Sequence, residues 1–125
     1  MKRTLVIGDI HGGLRALHQI FERADVTIDE KLIFLGDYVD GWSQSPQVLD
    51  FLIELGQKQK CIFIRGNHDE LLLNWLNSDD ATTDKTMWFN HGGEATVLAY
   101  ENVSDTRKQH HIEFLKNLKD YNLDK

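Results

Sequence analysis

Three short phrases set metal-competent side chains at regular intervals: Gly8-Asp9-Ile10-His11-Gly12, Gly36-Asp37-Tyr38-Val39-Asp40-Gly41 and Gly66-Asn67-His68-Asp69. Side chains two apart at a strand end share a direction, so Asp9 and His11 can face one ion together. Asp37 brings two oxygens and can bridge two ions about 3.5–4 Å apart. Asn67 adds a neutral carbonyl oxygen to the second ion. Mixed carboxylate, amide and imidazole donors suit Mn, Fe, Zn or similar divalent ions rather than an all-thiolate site. A water bridging two such ions loses a proton near neutral pH and becomes a nucleophile. His68, next to Asn67 but pointing elsewhere, is then free to protonate a leaving oxygen. Asp40 is placed to hold His68 in the required tautomer.

These residues need a scaffold that delivers them to one edge. Each phrase follows an apolar run: Leu5-Val6-Ile7, Leu32-Ile33-Phe34-Leu35 and Cys61-Ile62-Phe63-Ile64. Such runs, without polar alternation, predict strands of a parallel sheet buried on both faces. Leu14, Leu17 and Phe21 predict a helix after the first phrase. Ser45-Pro46 predicts an N-cap with Pro at the first helical position, and Gly56 a stop after the stripe Val48, Leu49, Leu52, Leu55. Leu71, Leu72, Trp75 and Leu76 predict a third helix. Asp9, Asp37 and Asn67 lie 28 and 30 residues apart, the length of successive βαβ units. The expected fold is α/β: a βαβαβ unit with a mostly parallel sheet flanked by helices, in one domain over residues 1–125. Asn77 to Thr86 reads as a polar surface loop. Ser104 then caps a last helix with Ile112, Phe114, Leu115 and Leu118 on its inner face.

The phrases resemble the calcineurin-like metallophosphoesterase superfamily, especially its Ser/Thr protein phosphatase branch and bacterial relatives, whose pattern is GDxHG, GDxxDRG, then GNHE or GNHD. The resemblance covers residues 4 to 70 closely. It implies half of a metallophosphoesterase α/β sandwich, with two divalent ions (Mn favoured) on Asp9, His11, Asp37 and Asn67. It also implies His68 as general acid and Asp40 as its partner. Two departures stand out. The family's phosphate-binding Arg is replaced by Gly41, followed by Trp42. Two further histidines that complete the family's metal shells lie beyond later strands. The chain is therefore expected to be the N-terminal portion of a longer enzyme, binding metal loosely and weakly active alone. The half-sandwich would expose an apolar sheet face and could form a homo-oligomer through it.

The resulting expectation is a binuclear-metal phosphoesterase that hydrolyses phosphomonoesters, of a phosphorylated protein or a small molecule, by attack of a metal-bridging hydroxide. Two alternatives stand beside it: a dinucleoside polyphosphate hydrolase, and a non-catalytic, metal-poor module. A dinucleotide-binding oxidoreductase fits less well, because the first phrase lacks G-x-G-x-x-G spacing and carries Asp9 where a pyrophosphate would approach. The net charge of −6, with no basic stripe, argues against a nucleic-acid partner. No stretch approaches the length of a membrane span, and a cytoplasmic protein is expected. Cys61 reads as a buried thiol. His91 reads as a loop residue positioning the next helix, His18 as a packed or partly exposed histidine, and Arg65 as a structural ion pair. Neighbours on a helix diverge by about 100°, so His110 and His111 cannot both serve one ion. Trp42 and the Asn77 to Asn90 loop are candidates for shaping selectivity.

Overall fold

A computed structural model describes residues 3–8, 10–77 and 92–120. Three parallel strands, β1 (Thr4–Ile7), β2 (Lys31–Phe34) and β3 (Cys61–Phe63), form a sheet in that order. Helices α1 (Leu14–Ala24) and α2 (Ser45–Lys58) make the two crossovers. α3 (Asn67–Asn77), α4 (Glu94–Ala99) and α5 (Asp105–Lys116) follow. The register aligns Val6 with Ile33 and Ile33 with Ile62, and Ile7 with Phe34 and Phe34 with Phe63. A single parallel bridge joins Ile64 to Lys119 beyond β3. Because all three strands run parallel, their C-terminal ends, and the segments after them, come to one edge.

Only β2 is buried on both faces, with Leu32, Ile33 and Phe34 all enclosed. β1 is an edge strand whose Val6 is 60% exposed, and β3 is half-buried throughout. The core lies on the other face, where Leu17, Phe34, Val48, Leu52, Leu72 and Leu115 pack together. Phe63 stacks on Phe34 at 5.2 Å and meets Phe114 edge-on at 4.9 Å.

The helix ends correct two expectations. Ser45 is the first residue of α2, after the N-cap Gln44, and Pro46 is the second. Its hydroxyl accepts from the Asp40 amide instead of capping the helix. α2 also continues through Gly56 to Lys58. A Cβ at Gly56 would come within 3.2 Å of the Phe63 ring, so packing against β3 explains this glycine. Ser104 does cap α5, accepting from Arg107 N–H at 3.2 Å. Ile112, Leu115 and Leu118 are buried, and Phe114 packs against the core. The expected polar loop beyond Asn77, with His91, lies outside the described residues. No described helix is long and apolar enough to cross a membrane.

Candidate active site

The first two phrases lie in the loops that leave β1 and β2, and the third carries the chain from β3 into α3. Their backbones are tied together before any side chain acts. His11 N–H donates to the Asp37 carbonyl at 2.9 Å, and Gly12 N–H to that of Tyr38 at 2.7 Å. Trp42 N–H returns to the His11 carbonyl at 3.0 Å. Asp69, at the start of α3, locks the second loop to the third. Its carboxylate accepts from the amides of Asp37 (2.7 Å), Tyr38 (2.9 Å) and Gly66 (2.8 Å). The Gly66 bond is the reach-back half of a capping box, from the third helical position to the residue before the helix. Burial pushes the Asp69 carboxyl up to about 6, against the pull of the three amides, which favour the ionised form. The Tyr38 hydroxyl, itself pushed up mainly by burial, donates to the Ile64 carbonyl at 2.7 Å and bolts the second loop to β3.

His11, Asp37 and Asp40 all adopt positive φ, at 46°, 55° and 70°. Left-handed backbone costs a non-glycine residue about 1–2 kcal/mol, and such residues gather where function demands a particular side-chain direction. The strand alternation expected to align Asp9 with His11 does not reach His11. β1 ends at Ile7, and a left-handed turn aims His11. Asp9 itself lies outside the described residues.

The side chains then meet. The His11 Nδ1 lies 3.1 Å from the Val39 carbonyl, an acceptor only, so Nδ1 carries the proton. The Nε2 lone pair is left for an ion. Asp37 Oδ1 accepts from the His68 backbone amide at 3.1 Å. The rings of His11 and His68 meet edge-on at 5.3 Å. His68 Nδ1 lies 2.9 Å from Asp40 Oδ2, with His68 partly open and Asp40 fully enclosed. Asn67 opens α3 next to His68. Among the described residues, no three His, Cys, Asp or Glu side chains cluster closely enough to hold an ion. The donor types nevertheless fit a divalent first-row ion: an imidazole with a free lone pair, a carboxylate and an amide oxygen.

Two contributors escape a reading of the phrases. Thr96, on α4, donates to Asp40 Oδ1 and lies 3.3 Å from Ser45 Oγ, and both hydroxyl residues are fully buried. Asp69 closes the third phrase, which by itself assigns it no role; only the fold shows its carboxylate tying that phrase to the second. The remaining candidates lie elsewhere. His111 is buried between the Tyr100 hydroxyl and Asp50, each 2.7 Å away. Burial is the main force lowering its pKa. His110 lines a groove between α2 and α5. His18 packs edge-on against Phe51 at 4.9 Å. Arg65 pairs with Asp120 at 3.3 Å. Cys61 is half-buried, its thiol pushed by burial up to about 11.

Gly41, where the family motif has Arg, sits at φ 108°, a conformation L side chains rarely adopt. The departure is therefore built into the backbone of the second loop.

The calcineurin-like phosphoesterase family model matches residues 2–124. An asymmetrical bis(5'-nucleosyl)-tetraphosphatase of Anoxybacillus flavithermus is 34% identical over 123 residues, covering 89% of this chain and 47% of the relative. The chain thus spans about half of that relative's length. Among solved structures, a metallophosphoesterase from Sphaerobacter thermophilus superimposes with TM-score 0.61 at 20% identity, covering 97% of this chain and 43% of that one. A protein serine/threonine phosphatase from Saccharomyces cerevisiae gives 0.58 at 20%, covering 94% and 36%. At that identity, both establish the fold.

Proposed function

The chain belongs to the calcineurin-like phosphoesterase family, and we propose that its three loops serve metal-dependent hydrolysis of a phosphoester. The observation that carries this reading is the His68–Asp40 pair, set beside His11 and Asp37 on left-handed turns. Asp9, His11, Asp37 and Asn67 would hold two divalent ions, Mn favoured. When bound, such ions neutralise phosphate charge and acidify water.

The chain's own residues supply the proton. Asp40 Oδ2 accepts a hydrogen bond from the Nδ1–H of His68, which leaves Nε2 facing away from the pair. As general acid, His68 donates from Nε2 to the leaving oxygen as the P–O bond breaks, its ring held by the buried Asp40 carboxylate. Water adds to phosphorus as the leaving oxygen takes the proton, so a phosphomonoester yields an alcohol and inorganic phosphate, and a dinucleoside polyphosphate yields two shorter nucleotides.

The substrate proposed first is a phosphomonoester, on a protein or a small molecule. A dinucleoside polyphosphate is the second reading. It is favoured by Gly41, which removes the guanidinium expected to grip a terminal phosphate, and by the Anoxybacillus relative. The test is Mn²⁺ calorimetry with phosphate release, on this chain and on any longer form that carries it. Asp37→Ala is expected to lose the metal. His68→Ala keeps it and loses turnover by roughly 10²–10⁴-fold. Wild-type turnover in His68→Ala, or hydrolysis indifferent to chelator, would overturn the assignment. Intact folding with neither metal binding nor hydrolysis in any form would favour the non-catalytic module.

A further inference from the structure

We infer that the cavity under Trp42 is a nucleoside subsite, binding the base of a nucleoside polyphosphate whose phosphates reach toward the three loops. The inference rests on the phosphoester reading and deepens it by favouring, of the two substrate classes, the nucleoside polyphosphate over the phosphomonoester.

Trp42 is 70% exposed, an unusual position for the largest apolar side chain. It also occupies the position next to Gly41, so it belongs to the second loop itself. Its amide is bonded to the His11 carbonyl at 3.0 Å, and its indole lies over Gly13, where a Cβ would sit 3.6 Å from Cδ1. Beside it opens a cavity of about 420 Å³ lined by Ile10, Gly13, Arg15, Gln19, Trp42 and Gln44, among others. That volume falls within the roughly 300–1,000 Å³ of small-molecule sites. Ile10 and Gly13 flank His11 and Gly12, so the cavity adjoins the first metal loop.

The lining selects a ligand class. It offers one aromatic plane, one cation, Arg15, and amide side chains that both donate and accept. Among the described residues no Asp or Glu lines it, although the chain carries 20 of them. Arg15 makes no ion pair among the described residues. A planar base stacks on indole whatever its identity, the amides meet its polar edge, and a guanidinium donates to the adjoining phosphate. A phosphoserine side chain would bring nothing planar to set against Trp42. A second cavity of about 460 Å³, between α2 and α5, includes no described residue of the three loops.

The test is calorimetry in EDTA, so that metal plays no part, with ADP and inorganic pyrophosphate as probes. ADP is expected to quench tryptophan fluorescence and to bind the wild type about tenfold or more tightly than pyrophosphate. Trp42→Ala is expected to erase that advantage, and Trp42→Phe to keep most of it. Arg15→Gln is expected to weaken both probes alike. Equal binding of the two probes by the wild type would overturn the inference. So would a Trp42→Ala chain that binds ADP normally, or tighter binding of phosphoserine or phosphotyrosine. Mn²⁺ titration of the wild type separates the two readings. If it shows no metal binding while the ADP preference persists, the metal assignment falls and the subsite stands.

Discussion

Asp40 is oriented by a closed circuit of buried groups. Its own amide donates to Ser45 Oγ at 3.1 Å, Ser45 faces the Thr96 hydroxyl, and Thr96 donates back to Asp40 Oδ1. With Oδ1 engaged, Oδ2 is the oxygen turned to His68. Thr96→Val preserves shape but removes a donor from a fully enclosed carboxylate, a loss of about 1–3 kcal/mol of stability. If Thr96 positions the pair, the variant should also lose roughly 10- to 100-fold in turnover of phenyl phosphate, whose leaving group needs a proton. p-Nitrophenyl phosphate, with its better leaving group, should suffer much less, and Thr96→Ser should recover most of the loss. Equal losses on the two esters would reduce Thr96 to a packing role.

The loops themselves depend on close backbone approach between elements. A Cβ at Gly66 would overlap Asp37 Oδ1 and the Asp37 amide, so only glycine lets β3 hand over to α3 beside the second loop. Gly66→Ala should destabilise the chain by about 1–3 kcal/mol in thermal unfolding. It should also weaken Mn²⁺ binding, because Asp37 must move; wild-type affinity would show that Asp37 is not a ligand. The strands, and the placing of His11, Asp37, Asp40, Asn67 and His68 just beyond them, were legible because each glycine-flanked phrase directly follows an apolar run, a local signal. What escaped was non-local. Thr96 lies 56 residues from Asp40, and nothing in its neighbourhood announces that contact. Ser45 looked like a cap because the Ser-Pro pair is a helix-start signal, yet tertiary bonding claimed its hydroxyl. Gly56 looked like a stop because the ring it makes room for lies on β3. Strand alternation could not foresee the left-handed turn at His11.

At the scale of the whole molecule, the sheet face opposite the core carries the row Val6–Ile33–Ile62, with Leu35 on the same side. Val6 and Leu35 are 60% and 51% exposed. Apolar surface of this kind favours association, so the weight-average mass in sedimentation should rise with concentration, and Val6→Lys should flatten that rise. A wild-type mass independent of concentration would refute the expectation.

The other end of the sheet is held by charge. Arg3 Nε lies 2.5 Å from Glu30 Oε2, and Glu30 Oε1 also accepts from the Thr27 amide at 2.8 Å, which joins the entries to β1 and β2. The Arg3 hydrogen bond, then the Thr27 amide, hold the Glu30 carboxyl down at about 2, against an ordinary 4.5. Because the folded value lies below the unfolded one, the unfolded chain binds more protons between them. The contribution is therefore fully present above about pH 4.5 and is lost as pH falls toward 2. Asp69, raised to about 6, works in the opposite sense between 3.8 and 6, so the raw stability profile mixes the two. Comparing denaturant midpoints of wild type and Glu30→Gln cancels the Asp69 part. The wild-type advantage should be constant near neutrality and shrink steadily below pH 4.5. A difference that does not change with pH would mean that Glu30 contributes through its shape and hydrogen bonds rather than its charge.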